Sequence, residues 1–535
     1  MNTVPISTLV LCSLNTIGLY GMTTHMPYDP QELLQKMSLP QKAAQLLAAA
    51  AVANDAHNKA FMETQPYKMN AAYIKQAIAQ HRIGSVLFLG KSTMRDQAQI
   101  TKEFQTLSTE NPLLVMVDAE WGTHMRNEDG DKFPYNMTLG ALENNELIKE
   151  KGFLVGKQLR EMGVHISLGP VMDVNNNPGN PVIGPRSFGS NPHNVAQKGI
   201  ADMQGLHEAG VDACLKHWPG HGDTATDSHY GLPVIKHDRA HLDAIELLPF
   251  VLGIKAGARA IMSAQILMPA LDPNYPASLS KIIITDLLRN ELGFDGLIMT
   301  DGMGMKGITD HFEAGEAAVR ALEAGIDIIL CANVIKDART SEHEDPIGKT
   351  ITAIVNAVKS GRLSEHDLDK KVLRVLQAKK RAFENQRHPT KSPFDTNQLK
   401  KIIYQQALTI AKDTPTPKPH IIVPIHGMNK LKNNQFGITN EILNLLKNAK
   451  KSNDPVTVIL YGSPYAIELV QEYADRIIVA YEDDPIAHIV VAEFLEGKCS
   501  APGMLPVEIS QSPITPKKMM QKTYDTNTYT FTQHT

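Results

Sequence analysis

At 535 residues the chain is too long for one ordinary hydrophobic core, and its length predicts two domains. With 42% hydrophobic residues, 21% charged residues and a formal net charge of −4, it has the balance of a globular protein. That balance, without a Lys/Arg stripe, excludes an electrostatic footprint for nucleic acid. The four cysteines (Cys12, Cys214, Cys331, Cys499) show no CxxC pairing, which excludes a zinc knuckle and a disulfide framework.

The first 28 residues read as a separate N-terminal tail. Residues 1–35 contain no Lys or Arg, and an apolar stretch runs from Val4 to Tyr20, interrupted by Ser13, Asn15 and Thr16. An export signal needs a basic start and an unbroken apolar run, so a signal and a frayed tail both stay open. Location is open with them, periplasmic or exported in the first case and cytoplasmic in the second. No later segment reaches the ~18 apolar residues of a membrane span.

Between residues 29 and 384 short apolar runs alternate with amphipathic stretches. The expected strands are Gln45–Val52, Ser85–Gly90, Leu113–Asp118, His165–Asp173, Asp212–Lys216, Ala260–Gln265, Leu297–Asp301 and Ile326–Cys331. Helical patterns at Asn70–His81, Glu143–Met162, Pro192–Ala209 and Phe312–Ala324 lie between them. Eight strands alternating with helices is the rhythm of a (β/α)8 barrel, although an open doubly wound sheet shares it. The strand ends are the stronger clue. Asp118, Asp173, Lys216, Gln265 and Asp301 each close an apolar run, and in a barrel such ends converge on one face.

A Lys/Arg-rich helix over Leu368–Phe383 ends this region, and the polar, Pro-containing stretch 385–400 reads as a linker. Residues 401–535 then predict a smaller α/β sandwich. Its strands are Ile421–Ile425, Val456–Tyr461, Arg476–Tyr481 and Leu505–Ile509, with helices at Asn440–Lys451, Pro464–Tyr473 and Pro485–Gly497.

The most informative segment runs from Lys216 to His229, KHWPGHGDTATDSH. It follows a strand, and its Pro and Gly residues keep it from being a helix. In an extended loop, residues two apart share a side, so Asp227 and His229 can face one another. A carboxylate beside an imidazole orients it and raises its pKa, which suits it to move protons near neutral pH. The same histidines and aspartates invite a metal-dependent barrel hydrolase as the rival. The His217–His221 spacing serves a metal on a helix, which the intervening Pro-Gly disfavours. A structural role suits His221.

These residues resemble the KH(F/W)PGHG…DSH signature of glycoside hydrolase family 3 β-N-acetylglucosaminidases. Other segments resemble the family in the same order: Asp118-Ala119-Glu120-Trp121-Gly122 with Arg126, Phe133-Pro134 through Leu139-Gly140, Asn180 to Gly189 (NPVIGPRSFG), and Thr300-Asp301-Gly302-Met303-Gly304-Met305. The region from Ala474 to Ile509 resembles the family's second domain, ending in a G-x-L-P-V strand at Gly503–Val507. Departures are Gln265, where many members carry histidine, and an abbreviated tract from Ala411 to His420, which leaves this domain's contribution to the site open.

The resemblance implies a retaining exo-glycosidase that removes terminal β-linked N-acetylglucosamine. Asp301 would be the nucleophile and His229, paired with Asp227, the general acid/base. Asp118, Arg126, Arg186, Lys216 and His217 would bind the terminal sugar, and Met303 and Met305 would wall the N-acetyl pocket or pack in the core. The expected partner is a carbohydrate, with no metal or other cofactor, no nucleic acid, no membrane span, and a monomeric chain. A β-glucosidase of the same family and a catalytically inactive binding protein are the alternatives. The first lacks support because family β-glucosidases do not carry the DSH loop, and the second because Asp227, His229 and Asp301 are all present.

Overall fold

The computed structural model describes residues 29–64, 69–108, 110–225, 231–331, 345–384, 392–416, 420–452 and 454–509. The N-terminal tail, Asp227 and His229 lie outside these residues. Eight parallel strands form the larger sheet: β1 (Leu47–Val52), β2 (Ser85–Leu89), β3 (Leu114–Val117), β4 (Ile166–Ser167), β5 (Asp212–Trp218), β6 (Ala260–Ser263), β7 (Leu297–Thr300) and β8 (Ile329–Cys331). They pair in the order β7-β6-β5-β4-β3-β2-β1-β8. A single parallel bridge between Met299 and Ile328, with Thr300 N–H donating to Ile328 O, draws the two edges together. The sheet is therefore a (β/α)8 barrel.

The first strand shows tertiary context overriding local preference. Leu47-Ala48-Ala49-Ala50-Ala51-Val52 is built mostly of the best helix former, yet it is a strand with every residue buried. Alternation explains why small residues suit it. Ala48 and Ala50 point into the barrel beside Leu87 and Leu89 of β2, and together they line a cavity at its mouth. The helices sit where the apolar periodicity placed them, at Ala71–His81, Glu146–Glu161, Pro192–Glu208 and Ala314–Ala324. Asn70 and Asn191 cap the first and third of these by accepting from Tyr73 and Asn194 N–H.

The end of the barrel away from this mouth is closed by charge. Asp212, at the start of β5, accepts from Arg259 and Arg381, each at 2.8 Å. Asp327, just before β8, is fully buried and pairs with Arg289 and Arg374 while accepting from Ile298 N–H at 2.9 Å. Arg374 and Arg381, with the buried Lys379, come from the basic helix Glu365–Glu384. Lys379 donates to the side-chain oxygens of Gln45 (2.7 Å) and Asn111 (3.1 Å).

A second, four-stranded sheet follows, in the order β10-β11-β12-β9: β9 (Thr409–Asp413), β10 (Ile421–Ile425), β11 (Val456–Leu460) and β12 (Arg476–Val479). The sequence reading differs from it in three places. The stretch 385–400 is not wholly a linker, because a helix runs over Thr396–Ala407 with Asp395 and Gln398 forming a capping box. The strand β9, antiparallel to β12, occupies part of the tract that looked abbreviated. Leu505–Ile509 is not a strand, and neither is Gly503–Val507 within the same tail. Pro506 has no N–H to give a ladder, and its neighbours bond elsewhere: Gly503 N–H to Leu408 O, Met504 N–H to Ala141 O, and Ser190 N–H to Pro506 O. The segment is a strap laid across the barrel loops. No helix among the described residues is long and apolar enough to cross a membrane, and Cys214, Cys331 and Cys499 are free thiols.

Candidate active site

The strand ends converge on a cavity of about 420 Å³ at the barrel mouth. Asp118, Arg126, Arg186, Lys216, His217 and Asp301, all singled out in the sequence, line it together. Asp118 and Glu120 leave the end of β3 two residues apart and so share a side. Lys216, near the end of β5, reaches both carboxylates, at 2.8 Å to Asp118 and 2.7 Å to Glu120. Arg126 closes on the second oxygen of Asp118 at 2.5 Å. Arg186 holds Glu120 through two parallel bonds of 2.8 and 2.7 Å, the fork geometry that guanidinium and carboxylate share.

The result is a fully ionised network. Burial acts to raise the Asp118 pKa, but the Lys216 and Arg126 charges outweigh it and hold the carboxyl at about 2. Glu120 is held well below the usual carboxylate range in the same way, by Arg186 and Lys216 against burial. Lys216 and Arg186 are both raised, their carboxylates outweighing a burial that acts to lower them. Glu120 is in turn positioned from behind, since the buried Lys151, paired with Asp202 at 3.0 Å, donates to the Glu120 backbone carbonyl at 2.9 Å.

His217 is oriented by Asp173, which follows β4. Its Nδ1 lies 2.6 Å from Asp173 Oδ2, and its Nε2 lies 3.4 Å from Arg186. The ring nitrogen that could face a metal therefore faces a guanidinium. Asp173 also accepts from the His221 N–H at 2.7 Å. His221 is buried, which lowers its pKa to about 4, and its Nδ1 meets the Thr224 hydroxyl at 2.9 Å. The glycines of this loop have a steric reason: a Cβ on Gly222 would stand 1.8 Å from the Val174 carbonyl oxygen.

Asp301 stands apart from this network. It follows β7, its N–H donates to Ser263 O at 2.8 Å, and its Oδ1 accepts from Gly302 N–H at 2.6 Å. Among the described residues it is the lining carboxylate with no cation against it. Gln265 does not enter the cavity. Fully buried, it donates toward Asp301 O at 3.4 Å and bonds the Ser278 hydroxyl, supporting the backbone below Asp301. Of the two methionines, Met305 lines the cavity and Met303 is core.

Sequence reasoning missed four lining residues: Glu120, Trp121, Met125 and Lys430. The D-x-E spacing of Asp118 and Glu120 was a readable signal. Nothing local marked Lys430, which comes from the second sheet's side, after β10, and answers the open question of whether that region reaches the site.

The family model described as "Glycosyl hydrolase family 3 N terminal domain" matches residues 38–378. A beta-hexosaminidase A of Pseudoalteromonas piscicida is 33% identical over 60% of this chain and 56% of its own length, so the chain spans little more than half of that relative. A beta-hexosaminidase of Thiobacillus denitrificans is 35% identical over 48% of this chain and 74% of its own. Among solved structures, a glycoside hydrolase family 3 beta-N-acetylglucosaminidase from Paenibacillus sp. FPU-7 superposes with a TM-score of 0.71 at 28% identity. That likeness covers 89% of this chain and all of the other.

Proposed function

Because the chain belongs to glycosyl hydrolase family 3, we propose that it is a retaining β-N-acetylhexosaminidase, releasing terminal non-reducing N-acetylglucosamine from cell-wall muropeptides or chitin-type oligosaccharides. The observation that carries this reading is the contrast among the cavity's carboxylates. Asp118 and Glu120 are neutralised by Lys216, Arg126 and Arg186, whereas among the described residues Asp301 is held by a backbone N–H alone. Neutralised carboxylates and their cations are hydroxyl-binding groups. A carboxylate outside such pairing, fixed at a strand end, suits a nucleophile.

In this mechanism the sugar sits over Asp301 with its hydroxyls on Asp118, Lys216, Arg126, Arg186 and His217. Asp301 attacks the anomeric carbon and forms a glycosyl-aspartate. His229, oriented by Asp227, protonates the leaving oxygen and then takes a proton from the water that releases the sugar. The Asp173–His217–Arg186 arrangement counts against the metal-hydrolase rival, since His217 has no nitrogen free of a partner.

The direct test pairs p-nitrophenyl N-acetyl-β-glucosaminide with p-nitrophenyl β-glucoside. The expected outcome is turnover of the first and little of the second. Preference for the glucoside would reverse the assignment.

A further inference from the structure

Outside the cavity, on the far side of the Gly220–Thr224 loop, four side chains with metal-ligand chemistry meet: Asp223, His237, His241 and Glu246. None of them lines the sugar cavity. Glu246 packs directly under the loop, where a Cβ on Gly220 would stand 2.7 Å from the Glu246 Cβ. Its side chain is only 2% exposed, and although the Asn176 side chain and a backbone N–H lie near it, neither carboxylate oxygen accepts a hydrogen bond of good geometry among the described residues. A buried carboxylate in that condition is costly unless something else meets it. His241 Nε2, which also makes no hydrogen bond among the described residues, lies 3.6 Å from Glu246 Oε1.

The two histidines flank the start of the helix Arg239–Ala244. Their rings stack with centroids 3.8 Å apart and planes 21° from parallel. One ligand atom each from His237, His241 and Glu246 lies within 4.8 Å of the others. His237 Nε2 also contacts Asp223 Oδ2 at 2.6 Å, which brings in a second carboxylate. Both histidines are about one-third exposed, leaving a route in from solvent.

We infer that Asp223, His237, His241 and Glu246 form a binding site for a divalent ion of the zinc class, tying the Gly220–Thr224 loop to the helix behind it. Two imidazoles, which ligate a metal in their neutral form, and two carboxylates would balance a 2+ charge. Nitrogen and oxygen donors in this ratio suit tetrahedral zinc, whose ligand atoms stand roughly 3.3 Å apart at bond lengths of about 2.0–2.1 Å. The ion is structural: it lies outside the sugar cavity, and neither hydrolytic step runs through it. The inference does not depend on the glycosidase reading.

The test uses the full chain without a histidine tag, stripped by chelator and titrated with zinc by calorimetry. Metal content is then measured after desalting. The wild type should bind one zinc per chain that Glu246→Gln and His241→Ala each weaken by at least about 30-fold. Saturating zinc should raise the thermal midpoint by roughly 3 °C or more, and by much less in either variant. His241 is partly exposed, so His241→Ala decides the matter if Glu246→Gln does not fold. A control, His426→Ala/His488→Ala, removes the exposed His426–Asp483–His488 group and should leave binding intact. No saturable binding at tens of micromolar zinc, binding lost only in that control, or binding unchanged in His241→Ala would each overturn the site.

Discussion

The two ends of the barrel carry similar charges and differ in what stands opposite them. At the closed end, Asp212 and Asp327 meet arginines from surrounding helices and strand edges. At the mouth, Asp118 and Glu120 are paired with three cations, Lys216, Arg126 and Arg186, around a cavity, and among the described residues Asp301 takes no part in these pairs. Charge saturated by cross-linking helices holds a fold together. Charge arranged around an empty space is poised to bind or react. Mutations at the mouth should therefore cost activity, and mutations at the closed end should cost stability.

The sharpest break in that contrast is Asp301→Asn. It should lower kcat with N-acetyl-β-glucosaminides by about 10³-fold or more while moving the thermal midpoint by no more than about 2 °C. A slow fluorinated substrate should label Asp301 in the wild type, as mass spectrometry of the adduct would reveal. A label on another residue would remove it from the nucleophile's role.

Next in size is His229→Ala, expected to cost roughly 10²–10³-fold on a substrate with a poor leaving group and far less on an activated aryl glycoside. Steady-state kinetics on the two substrates separates proton transfer from binding, since a binding role would penalise both equally.

At the closed end, Asp327→Ala leaves two arginines without their buried partner and should cost about 3 kcal/mol of stability. Urea unfolding followed by circular dichroism measures this, and kcat/KM of the folded variant at low temperature should stay within about threefold of wild type. A large loss of activity without loss of stability would erase the distinction between the two ends.

The remaining effect is a pH slope, small per pH unit. Burial lowers the Lys379 pKa from its ordinary 10.5 to about 7. Between these values the unfolded chain holds a proton that the folded chain lacks, so this residue makes stability rise with pH from about 7 to about 10.5. The slope is up to ~1.4 kcal/mol per pH unit. Lys379→Met should flatten the curve over that window, read as the difference between wild type and variant in parallel unfolding series.

What the sequence disclosed follows from where information is local. All eight barrel strands were legible because each is a short apolar run, five of them closed by a polar residue, and even the alanine-rich β1 fell within its expected span. The cavity's ring was legible for the same reason, as Asp118, Lys216 and Asp301 sit at such ends. Glu120 was passed over because a second acid two residues on looks like loop polarity until Arg186, far along the chain, closes on it. Lys430 was invisible because its relevance depends on the placement of a separate sheet. The strap was misread as a strand because Leu505, Val507 and Ile509 alternate properly, while the partners that claim its backbone, Ala141 and Ser190, lie more than 300 residues earlier.

That strap bears on modularity. Pro506 holds the backbone of Ser190 in the segment that carries Arg186, Tyr465 donates to Asn175 O, and Glu482 accepts from Tyr135 N–H and Thr138. Each of these anchors a loop at the barrel mouth from the second sheet. A cut near residue 400 would release the barrel in the topological sense while unmooring the loops that shape its cavity. In engineering terms the chain has two sheets and one exchangeable unit: a second sheet grafted from a relative would have to arrive with loops matched to Ala141, Asn175 and Ser190.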